Sequence, residues 1–276
     1  MTALPGPRRI ACLSTEAVEV LYRLGAQDRI AGISGYTVYP PEARHDKPKV
    51  SGFSTARMDK LLAVQPDLVI GFSDLQRPLL DDCAAQGLPV RWFDQRSVAG
   101  IHEMIAALGE LVHEVDAAAR LIAQLQRRQD DVAAAAARLP WHPRVYFEEW
   151  DEPMICGIGW VSELIALAGG IDVFADRSRQ PDARGRIVDS DAVLAADPQL
   201  IVGSWCGKRF VPERVRERPG WKRLDATLCE VKSADILSPG PSAIEHGLPQ
   251  LLHHIARRTG VSPADIGLPP ETPEHE

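Results

Sequence analysis

One segment of this chain occurs twice, and the repeat constrains the possible architecture more than any other feature of the sequence. Residues 58–71 recur in degenerate form as residues 190–203. Each copy starts with an acidic residue in a short helical pattern, passes a proline, and ends in an apolar run typical of a buried parallel strand. The copies lie 132 residues apart, measured from Asp59 to Asp191, which is close to the size of one domain and too long for a solenoid repeat. The repeat therefore predicts two related lobes.

Both halves of the chain alternate strand-like and helical patterns, which is typical of α/β lobes with mainly parallel sheets. Strands are expected near residues 9–13, 29–33, 68–72, 89–93, 144–147, 199–203 and 230–232. Helices are expected near residues 15–24, 58–64, 76–86, 161–168, 190–196 and 243–258. We divide the chain into an N-terminal α/β lobe, a connecting helical segment, a C-terminal α/β lobe and a flexible tail, at residues 1–97, 98–140, 141–260 and 261–276.

A long helix is predicted between the two lobes. Residues 116–138 consist almost entirely of strong helix formers, and Pro140 ends the pattern. A helix joins lobes more stiffly than a flexible linker does. We therefore expect a two-lobed body with a ligand cleft between the lobes and only modest closure.

Composition and charge exclude several classes of function. The chain has 276 residues and a net charge of −7, which argues against a nucleic-acid backbone as its main partner. No run of eighteen apolar residues occurs, so no membrane span is expected. The five cysteines are scattered and form no C-x-x-C pair, which favours buried reduced thiols over a disulfide framework or a zinc site.

Aromatic residues follow the predicted strands in both lobes. Ligands of open α/β sheets bind beyond the carboxyl ends of the strands, and flat rings offer a large apolar contact at little conformational cost. The rings in question are Tyr36, Tyr39, Phe53, Trp150 and Trp205. The alternative for each single ring is that it fills the core of its own lobe. As a group, they indicate a site for a bulky ligand.

Two charged segments suggest other chemistry. The acidic residues of segment 148–152 surround Trp150 and suit a hard metal, an acid/base pair or a solvated loop, of which we favour the loop. The arginine-rich segment 177–186 is interpreted as a mobile surface loop or as a site for carboxylates or phosphates. The chain has no G-x-S-x-G elbow, P-loop or H-E-x-x-H motif. We therefore assign no catalytic residue and no metal ligand.

Taken together, these features resemble the helical-backbone (class III) substrate-binding proteins of ABC transporters. That class includes cobalamin, haem and iron-siderophore binders. The resemblance covers about residues 9–258, and its most specific parts are residues 30–41, 49–52, 58–71, 162–170 and 219–221. The segment from Tyr36 to Pro41 looks most like the cobalamin-binding branch.

The resemblance implies that the protein is not an enzyme and has no catalytic cofactor. It implies instead that cobalamin or another corrinoid binds in the cleft between the lobes, for ABC-type uptake. Aromatic residues at the positions of Tyr36 and Phe53 contact the corrinoid in the cobalamin-binding branch. Trp150, Trp160 and Trp205 are assigned to the ligand site by their position in the chain.

The resemblance also implies a membrane partner. The family places one acidic residue on each lobe to pair with arginines of the permease, and the matching residues are Asp59 and Asp191. A capping role at a helix N-terminus explains an Asp at these positions equally well.

Other readings of the sequence stay open. The alternatives are a haem or ferric-siderophore binder, and an intracellular corrinoid-handling protein or enzyme that uses Glu148 and Glu149. The family resemblance implies a periplasmic location. Residues 1–10 lack the pattern of a signal peptide, so a cytoplasmic location is expected if Met1 is the native start. We expect a monomer.

Overall fold

The chain forms two compact units in the computed structural model, which describes residues 6–267. The first unit holds the chain up to Leu125 together with the short segment Ser238–Pro241. The second unit holds Gln126–Leu237 and the chain from Ser242 onward.

The first unit is built on a five-stranded sheet in which all neighbouring strands are parallel. The strands are Ile10–Cys12 (β1), Ile30–Ser34 (β2), Lys49–Ser51 (β3), Leu68–Phe72 (β4) and Val90–Phe93 (β5). Their order is β3-β2-β1-β4-β5. The central strands β1 and β4 are almost fully buried, which explains why they read as continuous apolar runs instead of alternating patterns.

Helices connect the strands of the first unit. They are Thr15–Arg23 (α1), Ala43–Asp46 (α2), Met58–Ala63 (α3), Arg77–Ala85 (α4) and Val98–Val112 (α5), with 3-10 turns at Gln27–Arg29 and Asp74–Gln76. Helix α5 ends at His113, which has a left-handed backbone conformation. The next helix, Val115–Ala136 (α6), contains the point in the chain where the first unit ends and the second begins. It corresponds to the long helix predicted at residues 116–138.

The second unit has a mixed sheet. Its strands are Arg144–Asp151 (β6), Met154–Cys156 (β7), Ile171–Asp172 (β8), Leu200–Gly203 (β9) and Thr227–Glu230 (β10). The order is β10-β9-β6-β7, and β8 also pairs with β6. Among the pairings between these strands, as far as the chain is described, only β6–β7 is antiparallel. The expected α/β class with mainly parallel sheets is confirmed.

The helices of the second unit are mostly short. They are Gly159–Leu167 (α7), Ala175–Ser178 (α8), Ser190–Ala196 (α9), Pro212–Arg216 (α10), Ser233–Ile236 (α11) and Leu248–Thr259 (α12), with 3-10 turns at Arg184–Arg186, Trp221–Arg223 and Pro263–Ile266 and a π-helical turn at Ala243–Gly247. Among the helices of residues 6–267, none combines the length and the apolar character that a membrane span needs.

Three local predictions need correction or completion. The acidic segment 148–152 is not a solvated loop, because β6 continues to Asp151 by pairing with β7. The last predicted strand lies earlier than expected, at β10. Of the predicted tail, residues 261–267 include a 3-10 turn in which Ile266 is buried, and the remainder lies outside the described residues.

Each copy of the repeat ends in a glycine because a large side chain packs directly against the strand backbone there. In the first unit, a Cβ atom on Gly71 would lie 2.9 Å from Cδ1 of Leu80. In the second unit, a Cβ atom on Gly203 would lie 1.9 Å from Cδ2 of Phe210. Both distances are shorter than real Cβ contacts, so neither position has room for a side chain.

We expect Gly203→Ala to destabilise the protein by about 2–3 kcal/mol, because the buried Phe210 ring must move to admit a methyl group. Gly71→Ala is the matched control. It should cost less, about 1 kcal/mol, because the flexible end of Leu80 can shift. Urea unfolding followed by circular dichroism measures both values. Equal losses in the two variants would contradict this account of the repeat.

Candidate functional site

Two exposed aromatic rings lie at the carboxyl edge of the first unit's sheet. Tyr36 follows β2 and Phe53 follows the neighbouring strand β3. Tyr36 is 58% exposed and Phe53 is 41% exposed. The two loops are tied together, since the Ser34 hydroxyl donates a hydrogen bond to the carbonyl of Gly52 (3.1 Å). A Cβ atom on Gly52 would lie 4.0 Å from Cε2 of Tyr36, so the tyrosine ring lies close to the backbone that carries Phe53.

Gln76, which the sequence analysis did not select, fixes the backbone beneath these rings. Its buried amide nitrogen donates hydrogen bonds to the carbonyls of Phe53 (2.8 Å) and Leu13 (3.1 Å). Its amide oxygen accepts a hydrogen bond from the backbone of Phe72 (2.9 Å). The preceding residue, Leu75, is 64% exposed. The sequence did contain a signal for this position: Leu75 is an apolar residue between two polar residues, shortly after the predicted strand 68–72.

The turn that exposes Leu75 starts at a strained residue. Ser73 has φ 61° and ψ 163°, a backbone region that residues other than glycine rarely adopt. Its buried hydroxyl has no hydrogen-bond partner among the described residues, and its carbonyl accepts a hydrogen bond from the indole of Trp92 (3.1 Å). Such strain costs about 1–3 kcal/mol and persists only where the surroundings impose it.

In the second unit, Trp150 lies near the end of β6, in the hairpin with β7. Its indole N–H donates a hydrogen bond to the carbonyl of Glu152 (2.8 Å). The ammonium group of Lys208 lies 4.0 Å from the centroid of the Trp150 ring and forms an ion pair with Asp151. Burial alone would raise the pKa of Asp151, but the hydrogen bond and charge of Lys208 lower it overall. The half-buried tryptophan therefore carries a fixed cation on its face.

Trp160 and Trp205 lie inside the second unit, each only 2% exposed. The Trp160 indole donates a hydrogen bond to the carbonyl of Ile236 (2.8 Å). The Trp205 indole donates to Glu148 (3.0 Å), and its ring packs edge-on against Phe210 with centroids 5.0 Å apart. As placed, both rings stabilise the core of the unit, and a ligand contact for either one stays a prediction.

The carboxylate of Glu148 is fully buried and accepts hydrogen bonds from three side chains. Arg218 donates through both terminal nitrogens (2.6 and 2.9 Å). The Tyr146 hydroxyl (2.9 Å) and the Trp205 indole (3.0 Å) complete the set. A buried carboxylate is tolerated only when it is paired and hydrogen-bonded in this way, so the arrangement favours a structural role.

The neighbouring acid, Glu149, is paired as well. Arg186 is buried and donates hydrogen bonds to Glu149 (2.5 and 3.2 Å) and to the carbonyl of Cys156 (2.6 Å). Arg177 donates to the carbonyl of Ile187 (3.1 Å). Two guanidinium groups of the arginine-rich segment 177–186 therefore make contacts inside the protein. Within residues 6–267, no group of three or more His, Cys, Asp or Glu side chains is suited to hold a metal ion.

Asp59 and Asp191 occupy equivalent positions in α3 and α9, one residue after the start of each helix, and neither is the N-cap residue. In α9 the cap is Asp189, which accepts a hydrogen bond from the backbone N–H of Ala192 (2.7 Å). Asp59 is held by Arg57 (2.6 Å), whose hydrogen bonds lower the pKa of the Asp59 carboxyl. Asp191 is exposed and forms no ion pair with any described residue. The net charge around Asp191 is therefore more negative than the net charge around Asp59.

A buried carboxyl group lies at the start of α1 in the first unit. Gln95 donates hydrogen bonds to Glu16 (3.3 Å) and to the carbonyl of Pro239 (3.1 Å). The Thr15 hydroxyl lies 3.3 Å from Glu16 and 3.0 Å from the hydroxyl of Ser238. Burial raises the pKa of Glu16 from its ordinary 4.5 to about 7, and the surrounding hydrogen bonds offset only part of that increase.

The chain is similar in sequence and in fold to known binding proteins. A family model described as periplasmic binding protein matches residues 10–228. A vitamin B12-binding protein of Yersinia pestis is 28% identical over 200 residues, which cover 71% of this chain and 69% of the relative. Among solved structures, the periplasmic heme-binding protein of Roseiflexus sp. RS-1 in its apo form has a TM-score of 0.79 at 21% identity, and covers 92% of this chain and 100% of that one. The periplasmic vitamin B12 binding protein of Vibrio cholerae has a TM-score of 0.72 at 21% identity, with coverages of 92% and 98%.

The raised pKa of Glu16 predicts a stability that falls as pH rises. A carboxyl whose pKa is higher in the folded state stabilises that state fully below about pH 4.5, and this contribution is lost as pH rises through about 7. We expect the free energy of unfolding of the wild type to fall by about 2–3 kcal/mol between pH 5 and pH 8 relative to Glu16→Gln. Urea unfolding at each pH measures the difference. Glu110→Gln, at an exposed position, should keep the wild-type profile, and parallel profiles for wild type and Glu16→Gln would refute the prediction.

Proposed function

This chain belongs to the periplasmic binding protein family, and from that premise we propose that it binds cobalamin or another corrinoid and delivers it to an ABC permease. Proteins of this family deliver their ligands to such permeases and are typically periplasmic. The relative from Yersinia pestis that bears the name vitamin B12-binding protein supports the choice of ligand. We place the protein in the periplasm on the same grounds.

The exposure of Tyr36, Phe53 and Leu75 at the carboxyl edge of one sheet is the observation that carries the proposal. Exposed rings and aliphatic side chains at one edge of a sheet do not stabilise the free protein, and such patches mark binding surfaces. The loops beneath them are fixed by Ser34 and Gln76. A large, rigid macrocycle covers several such groups at once, and little conformational entropy is lost when both partners are already ordered.

In the second unit, we assign ligand contact to the half-buried ring of Trp150. Trp160 and Trp205 hold the scaffold behind it through their indole hydrogen bonds. A direct contact of either buried ring with the ligand would require the neighbouring side chains to move. We do not assign catalysis to Glu148 or Glu149, because both carboxylates already pair with arginines.

Haem is the second candidate ligand, and Tyr36 is the observation that favours it. The Tyr36 side chain is largely exposed and forms no hydrogen bond with the described residues. A phenolate is one of the protein groups that ligate haem iron, and the same oxygen suits a ferric siderophore. Aromatic side chains pack against a porphyrin as well as against a corrin.

Titration calorimetry and visible spectra with cyanocobalamin, cobinamide, haemin and ferrichrome test the proposal. We expect the corrinoids to bind, and Tyr36→Ala and Phe53→Ala each to weaken binding about 10-fold or more through the loss of apolar contact. Ile171→Ala is the control. This exposed residue lies at the amino end of the second unit's sheet, where it pairs with the start of β6. Failure of both corrinoids to bind would exclude the corrinoid assignment. Binding of haemin alone would establish the second candidate.

We further propose that Asp191 is the stronger of the two contacts with the permease. Its position in α9 corresponds to that of Asp59 in α3, but Arg57 already neutralises Asp59. Beside Asp191, the capping residue Asp189 adds a second negative charge. A basic surface of the permease would therefore be attracted more strongly to the second unit.

Uptake of labelled cyanocobalamin by proteoliposomes that hold the partner permease tests this asymmetry. We expect Asp191→Lys to lower uptake about 10-fold, because like charges then meet at the contact, and Asp59→Lys to lower it less. Neither substitution should change the affinity for the ligand. Asp116→Lys, an exposed change on α6, controls for net charge. Equal uptake with Asp191→Lys and Asp116→Lys would rule out the contact.

A further inference from the structure

The loop that follows β9 is anchored at both ends by buried aromatic residues. At residues 204–210, which we call the β9 loop, Trp205 donates its indole hydrogen bond to Glu148. At the other end, the ring of Phe210 packs against Gly203, and its backbone N–H donates to Glu230 (3.0 Å). The residues between these anchors are exposed. The loop is therefore a short, fixed projection at the carboxyl edge of the second unit's sheet.

Two cations occupy the tip of this loop. Gly207, with φ 74°, makes the turn that precedes Lys208 and Arg209. The Lys208 ammonium lies over the Trp150 ring and is paired with Asp151, whose side chain is only 7% exposed. Arg209 is exposed and has no hydrogen bond or ion pair with any residue that the structure describes.

The surroundings of the loop are more basic than the chain as a whole. Residues 208–218 contain five Lys or Arg and two Glu, in a chain whose net charge is −7. The buried acids nearby are already committed, since Glu148 pairs with Arg218 and Asp151 pairs with Lys208. The guanidinium of Arg209 is thus an exposed charge without a paired acid among the described residues, next in the chain to the lysine that lies over Trp150, and it is in a position to attract an anion.

We propose that Arg209 forms an anion subsite that binds a carboxylate or phosphate group of the ligand while the ligand's ring system lies against Trp150. The subsite rests on the proposed function and narrows its ligand to a conjugated macrocycle with an acidic substituent. Guanidinium groups bind such anions with two parallel hydrogen bonds. The arginine-rich segment 177–186 is the less suitable donor, because Arg177 and Arg186 make internal contacts.

Two pairs of ligands distinguish the possible anions. Haemin carries two propionates, and its dimethyl ester carries none. Cyanocobalamin carries a phosphodiester, and cobinamide lacks it. If the subsite binds a carboxylate, haemin should bind more tightly than its ester. If it binds a phosphate, cyanocobalamin should bind more tightly than cobinamide.

Calorimetric titration of all four ligands into the wild type, Arg209→Gln and Lys222→Gln tests the proposal. Lys222→Gln is the matched control, because it removes an exposed cation from another segment of the second unit, the 3-10 turn Trp221–Arg223. We expect Arg209→Gln to weaken binding of the acidic member of one pair about 10-fold, the loss of one charge-assisted contact, and to leave its neutral partner unchanged. The effect should shrink as salt concentration rises.

The possible results distinguish a failure of the proposed anion subsite from a failure of the proposed function. Equal binding of acidic and neutral members, or an equal effect of Arg209→Gln and Lys222→Gln, would overturn the subsite while the proposed function stands. Failure of all four ligands to bind would overturn both. Because Arg209 is exposed, its substitution should leave the thermal unfolding curve unchanged, and that measurement confirms that affinity and not folding has been altered.

Discussion

The buried carboxylate of Glu148 is the interaction on which the second unit depends. It lies on β6 and draws together Arg218, Tyr146 and Trp205. Removing Arg218 would leave a buried charge uncompensated, at a cost of several kcal/mol, and removing the Tyr146 or Trp205 donor would cost about 1–3 kcal/mol. The strand, the aromatic core and the β9 loop are therefore fixed as one arrangement. This explains how Lys208, at the exposed tip of the loop, keeps its position over the Trp150 ring.

The first unit achieves the same result with an uncharged group. Gln76 joins three backbone segments through one amide, and the exposed side chains of Tyr36, Phe53 and Leu75 lie at the same edge of the sheet. The duplicated strand and its terminal glycine thus retain their geometry in both units, while the chemistry that holds the strand-end loops has diverged. One unit presents exposed apolar side chains at this edge, and the other presents an aromatic ring with a cation on its face.

Much of this architecture could be predicted from the sequence, since strands in parallel sheets are short apolar runs and the repeat marks both units. The resemblance to class III substrate-binding proteins is confirmed by the family match. Contacts between distant segments could not be predicted. The acidic segment at 148–152 is a strand because β7 pairs with it. Trp205 can be buried because Glu148 accepts a hydrogen bond from its indole N–H. Gln76 matters only because three backbone atoms converge on it, and no local pattern records that convergence.

Strain and exposure coincide at the carboxyl edge of the first unit. Ser73 holds a conformation suited to glycine, and Leu75 and Tyr36 expose more than half of their surface. The strain at Ser73 lowers the stability of the free protein, and the two exposed apolar side chains add little to it, so selection for stability alone would not retain these three features. A ligand that covers these side chains stabilises the folded state in proportion to its affinity. The edge is therefore the part of the first unit where the sequence departs from the rules of stable folding, and binding of the proposed ligand at this edge would account for the departure.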